Sequence, residues 1–89
     1  MAELIQEYAT PIVDENGNSY MARAYGQERS DGTWEGWLEF HPADGEGKVL
    51  RTGQETSQPN QKAIEYWSSG LEAIYLEGAF SRASASAVQ

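Results

Sequence analysis

Thr33-Trp34-Glu35-Gly36-Trp37-Leu38-Glu39-Phe40-His41-Pro42 is the stretch on which the reading of this chain turns. It holds two of the three tryptophans, alternates in residue type, and runs from a tight-turn signal to a proline. Side chains of a strand point alternately to opposite faces, so such alternation marks a strand with one face toward a core. The segment reads as the central strand of an antiparallel sheet.

Working toward the N-terminus, Asp31-Gly32 is a hairpin signal, because both residues tolerate the backbone angles of a tight turn. Ser19–Gly26 before it carries Tyr20, Met21 and Tyr25 and reads as a second strand. Asn16-Gly17 is a second hairpin signal of the same chemistry. Residues Tyr8–Val13 form a third strand, placed at an edge because Pro11 cannot donate to a ladder. Two tight turns in succession predict a three-stranded meander.

Two-residue loops would set Ile12 opposite Met21 and Tyr25 opposite Leu38. Tyr8, Ile12, Met21, Tyr25, Trp34, Leu38 and Phe40 then share a core face. Val13, Tyr20, Ala22, Ala24, Glu35, Trp37 and Glu39 take the other. A three-residue second loop would pair Tyr25 with Trp37 and exchange faces, since a slip of one residue inverts every side chain. The first register groups the apolar residues better and is the one expected.

Toward the C-terminus, Ala43–Gly47 reads as a turn and Lys48–Thr52 as a short fourth strand beside the third. Gly53–Gln58 is a connector. Pro59 suits a first helical turn, with Ser57 or Gln58 as the cap. Ala63, Ile64, Trp67 and Leu71 recur at helical spacing, and Gly70 is a natural stop, so a helix over Pro59–Ser69 should cover the core face. Leu71–Phe80 fits either period, and its β-branched and aromatic content favours a strand at Ala73–Glu77. Ser81–Gln89 carries little apolar surface and is expected to fray.

The expectation is one small α+β domain over residues 1–89, ordered from about 5 to 80. In it, a mainly antiparallel meander of three to five strands packs on one helix in the C-terminal half. Eighty-nine residues leave room for one core only. Without cysteine there are no disulfides, thiolate metal sites or cysteine nucleophiles. Fourteen acids against six bases give a net charge of −8, which repels phosphate backbones and anionic membranes, so nucleic acid is disfavoured as a partner. No apolar run is long enough to cross a membrane. The acidic start Met1-Ala2-Glu3-Leu4 lacks the basic, apolar pattern of a secretory signal, so a cytoplasmic location is expected.

No motif points to a cofactor, a metal or a catalytic set, and Arg23 and Arg51 are expected to satisfy neighbouring carboxylates. The leading functional reading is a non-enzymatic module that binds a protein or itself through an aromatic sheet face of Trp37, Tyr20, Glu35 and Glu39. A second reading joins His41 to the Arg51–Asn60 connector, through Arg51, Thr52 and Thr56, as a small-ligand or enzymatic site. A third makes the chain an acidic decoy of nucleic acid, which needs carboxylates arrayed at phosphate-like spacing. Scattered acids make it the weakest of the three.

Overall fold

Two aspartates fix the geometry of the sheet. In the computed structural model, which describes residues 1–87, Asp14 Oδ1 accepts the amides of Asn16 and Asn18 at 2.9 and 2.8 Å. Asp31 Oδ1 accepts both the amide and the hydroxyl of Thr33, at 3.0 and 2.6 Å. With the Asn18 side-chain amide, which donates to Asp14 Oδ2 at 3.1 Å, these bonds hold both carboxyls below the ordinary range, the Asn18 and Thr33 side chains contributing most. Each aspartate organises a three-residue loop. Asp14 N–H donates to Asn18 O at 2.9 Å around Glu15-Asn16-Gly17, and Arg29 N–H donates to Thr33 O at 2.7 Å around Ser30-Asp31-Gly32. Only the glycines, at φ of 86° and 87°, enter the left-handed region. That is the three-residue hairpin whose last loop residue must be left-handed, in place of the expected two-residue turn.

The extra residue inverts the register. Ile12 pairs with Tyr20 and Tyr25 pairs with Trp37, so the predicted pairs Ile12–Met21 and Tyr25–Leu38 are corrected. Tyr20, Ala22 and Ala24 move to the core face, and Met21 and Tyr25 leave it. Trp34, Leu38 and Phe40 stay on the core face as expected, with Trp37 on the opposite one.

The sheet contains β1 (Glu3–Glu7), β2 (Ile12–Val13), β3 (Ser19–Glu28), β4 (Trp34–Pro42), β5 (Leu50–Arg51) and β6 (Thr56–Gln58). All pairings are antiparallel; β1 and β2 lie along one side of β3, and β5 and β6 along the far side of β4. The result is a four-row antiparallel meander whose two edge rows are each broken. Pro11 interrupts one edge, confining strand to either side of Tyr8–Pro11 where a continuous strand is predicted. Thr52 interrupts the other: its hydroxyl accepts the Leu38 amide at 3.0 Å, taking the place of a backbone carbonyl. Broken edges of this kind discourage pairing with other chains.

Helix α1 (Gln61–Ser69) begins at Asn60, whose side chain accepts the Ala63 amide at 2.9 Å. The predicted caps Ser57 and Gln58 are instead spent in β6, opposite Glu35 and Trp34. Ile64 is fully buried and Trp67 packs on the core, as the spacing predicts. The helix lies close because Gly26 and Gly36 face one another beneath it. A Cβ on Gly36 would sit 3.1 Å from the Trp67 ring and 3.2 Å from Ile64 Cδ1.

The predicted strand at Ala73–Glu77 is the first part of a second helix, α2 (Ala73–Ala87). Leu76, Ala79 and Ala83 are buried at helical spacing against Ala22, Ala24, Leu38 and Phe40. Ala79 and Ala83 let the helix approach the sheet, so the Ser- and Ala-rich segment expected to fray from Ser81 is helical as far as Ala87. The last two residues of that predicted tail lie outside the described residues. Tyr20 meets Phe80 at a ring separation of 5.1 Å, and Phe80 meets Phe40 edge-on at 5.3 Å. Both helices therefore cover one face of the sheet, and neither covers the other. No helix among the described residues is long and apolar enough to cross a membrane.

Candidate functional site

Alternation along β3 and β4 sends Met21, Arg23, Tyr25, Gln27, Glu35, Trp37, Glu39 and His41 to the helix-free face. Register on the edge strands adds Leu4, Glu7, Val13, Arg51 and Ser57. Trp37 is only 2% exposed there, although no helix covers it. Side chains do the covering. Tyr25 stacks against it at 6.2 Å with the rings 12° from parallel. The Arg51 guanidinium lies 4.1 Å from the centre of its ring, within range of a cation–π contact. Its indole N–H donates to Glu39 Oε2 at 3.0 Å.

Glu39 is the hub of this face. Its other oxygen lies 3.0 Å from His41 Nε2, and the His41 ring in turn lies over Tyr25 at 6.4 Å. Across the strands, Glu39 stands directly between Arg23 on β3 and Arg51 on β5. Yet its hydrogen bonds run along its own strand, to Trp37 and His41. Among the described residues the ion pairs are Arg29–Glu35, His41–Glu39 and Arg82–Glu55, and neither Arg23 nor Arg51 takes part in one. The expectation that these two arginines satisfy neighbouring carboxylates is corrected: Arg51 covers a tryptophan, and Arg23 Nε is buried with no partner among the described residues.

Charge divides sharply between this face and the rest of the molecule. The face carries Glu7, Glu35 and Glu39 against Arg23, Arg51 and, at its end, Arg29, which reaches Ser57 and Glu35. It is neutral in sum, so the entire net charge of −8 lies elsewhere.

Of the predicted aromatic face, the structure brings together Trp37, Glu35 and Glu39, while Tyr20 sits on the helix side against Phe80. Tyr25, Arg23 and Arg51 complete the cluster. Parity with Trp37 would have found Tyr25 once the loops were counted as three residues. The alternative set does not converge. His41 and Arg51 share the helix-free face, but Thr52 is buried against the Leu38 backbone and Thr56 lies opposite Gly36, under the helix. Two surface clefts, of about 430 and 560 Å³, open elsewhere, beside the Asn18–Pro42 corner and between Ile12 and Phe80. Neither is lined by any of these four residues.

A second polar cluster ties α2 to the β5–β6 connector. Glu55 Oε1 accepts the Tyr75 hydroxyl and, at 2.6 Å, Arg82. Burial foremost, then the Glu55 carboxylate, push the Tyr75 hydroxyl up from its ordinary value. Both contacts fall on the one oxygen Glu55 Oε1, and the Arg82 side chain stays 55% exposed. Among the described residues no three His, Cys, Asp or Glu side chains converge as a metal site would require. Comparison with protein-family models, with characterised proteins and with solved structures returns no match to this chain.

Proposed function

We propose that this domain is a protein-binding module and that the helix-free face of its sheet is the contact surface. The observation that carries the reading is the division of charge. The net charge of −8 lies off this face, which is itself neutral and holds an aromatic centre with two arginines that form no ion pair among the described residues. Arginine and tryptophan are the residue types that dominate binding energy at protein interfaces. Charge complementarity on such a face selects partner and orientation more than it adds raw affinity.

Trp37 supports the surface from beneath. At 2% exposure it holds Tyr25 and Arg51 in place, so its truncation damages the fold as well as any contact. The test therefore uses Arg51→Glu, with Lys62→Glu on the exposed side of α1 as the control. Association of the folded protein, with itself or with a protein retained from lysate, is expected to fall with Arg51→Glu and to persist with Lys62→Glu. Equal losses in both, or binding unchanged by Arg51→Glu, would place the contact elsewhere.

A further inference from the structure

We infer that the partner for which this face is built is a second copy of the same chain, docked face to face about a two-fold axis parallel to β3 and β4. The inference rests on the reading of the helix-free face as the contact surface. It is carried by one row of residues. Glu7 on β1 stands opposite Arg23 on β3, Arg23 opposite Glu39 on β4, and Glu39 opposite Arg51 on β5. The four strand rows thus present minus, plus, minus, plus in a straight line, spaced by about 4.8 Å per strand.

That order is antisymmetric about the midpoint between β3 and β4. A two-fold axis lying along the strands at that midpoint reverses the row and keeps its level. Glu7 then faces the partner's Arg51, and Arg23 faces the partner's Glu39. The two remaining pairs follow by symmetry, as an isologous interface requires. A two-fold across the strands would set Glu7 on the partner's Glu7 and Arg51 on the partner's Arg51, so charge selects the first axis. Strand directions stay aligned, as they are in sheets packed face to face. The next row, Leu4, Tyr25 and Trp37, places Tyr25 over the partner's Trp37 under the same operation.

Three further observations fit this occupant. Arg23 and Arg51 form no ion pair among the described residues, and the docked copy brings a carboxylate to each. Glu39 already accepts from Trp37 and His41, but a carboxylate has about four lone-pair sites and can take a third donor. Finally, a chain of net charge −8 repels its own copies everywhere except through a neutral face. Four strand rows by the nine residues of β4 span about 20 by 30 Å. That covers about 600 Å² per copy, below the roughly 800 Å² of a standard interface, so dimer and monomer exchange.

Glu7 and Arg51 are both exposed, so their charges can be reversed with the helix-side core intact, and the cover that Arg51 gives Trp37 makes the folding check part of the test. Sedimentation equilibrium of the full chain, from micromolar to millimolar, compares wild type, Glu7→Arg, Arg51→Glu and the double variant, each checked for folding by circular dichroism. Each single reversal strikes two symmetry-related pairs and is expected to weaken the dimer about tenfold or more. The double variant restores opposite charges across the axis and is expected to recover to within a few-fold of wild type. Wild type that stays monomeric throughout overturns the inference. If it stays monomeric yet captures a foreign protein that Arg51→Glu loses, self-pairing falls while the contact surface stands. A dimer indifferent to both single reversals, or a double variant no better than either, also overturns it.

Discussion

Adding one methyl group at Gly36 is the sharpest test of how the helices sit on the sheet. The Cβ of Gly36→Ala would lie 3.0 Å from Thr56 Cγ2, 3.1 Å from Trp67 Cζ3 and 3.2 Å from Ile64 Cδ1. Ordinary contacts lie at 3.5–4.0 Å, so three neighbours must each yield by several tenths of an ångström. Ile64 is fully buried and Trp67 carries a rigid ring, so α1 has to lift away from the sheet. Overpacking of this kind costs about 1–3 kcal/mol, and alanine returns up to about 1 kcal/mol by restricting the unfolded chain. The net loss is about 1–2 kcal/mol. For a domain of this size that lowers Tm by roughly 5–15 °C. Gly26→Ala meets Ile64 at 3.2 Å and its other neighbours at 3.4 Å, and is expected to lose less. Gly53→Ala meets nothing within 4 Å and is expected to stay within about 0.5 kcal/mol of wild type. Thermal and urea unfolding of the three variants measure the order directly. Gly36→Ala as stable as Gly53→Ala would refute the close approach of α1 to the Gly26–Gly36 pair.

Other consequences concern the loops, the tryptophan and one tyrosine. Gly32→Ala, at φ 87°, is expected to cost about 1–2 kcal/mol in urea unfolding although no atom lies near its Cβ. Arg51→Ala removes the cover of Trp37 and is expected to cost about 0.5–2 kcal/mol, with greater quenching of tryptophan fluorescence by acrylamide. Unchanged quenching would mean that Arg51 does not shield the ring. Tyr8 donates to Ser68 O at 2.7 Å, and burial foremost, then Tyr75, push its hydroxyl from 10.0 up to about 12. The folded state therefore keeps this proton longer than the unfolded one. The stabilisation is complete below pH 10 and is lost as pH rises from 10 toward 12. Alkaline unfolding should be less steep in Tyr8→Phe across that window, and equal slopes would contradict the assignment.

The α+β class, the antiparallel meander and the first helix follow from features that act locally: alternation in Trp34–Phe40, turn glycines, and the Ile64–Trp67–Leu71 stripe. Register does not follow so easily, because it depends on one residue in each loop. Asn-Gly and Asp-Gly favour a two-residue turn in isolation, but Asp14 and Asp31 accept the amides that a three-residue loop leaves free. That single residue carries Tyr20, Ala22 and Ala24 to the helix side and exchanges Tyr20 for Tyr25 beside Trp37. Pairing Ala22 and Ala24 with Phe40 and Leu38 is the signal that could have decided it, since small residues opposite large ones suit a covered face. The second helix was hidden for a different reason. Its buried stripe of Leu76, Ala79 and Ala83 is mostly alanine, which contributes little apolar periodicity yet permits close packing. The cover of Trp37 by Arg51 is a tertiary contact between neighbouring strands, and the spacing of those two residues along the chain does not announce it.

The helix-free face as contact surface is tested most directly by two-dimensional ¹H–¹⁵N NMR of the labelled chain at increasing concentration. The Trp37 indole and the amides of Arg23, Glu39 and Arg51 are expected to shift progressively, while those of Ile64, Leu76 and Ala79, on the far side of the sheet, stay fixed. Shifts confined to α1 and α2, or spectra identical at every concentration, would contradict the pairing of two copies through this face.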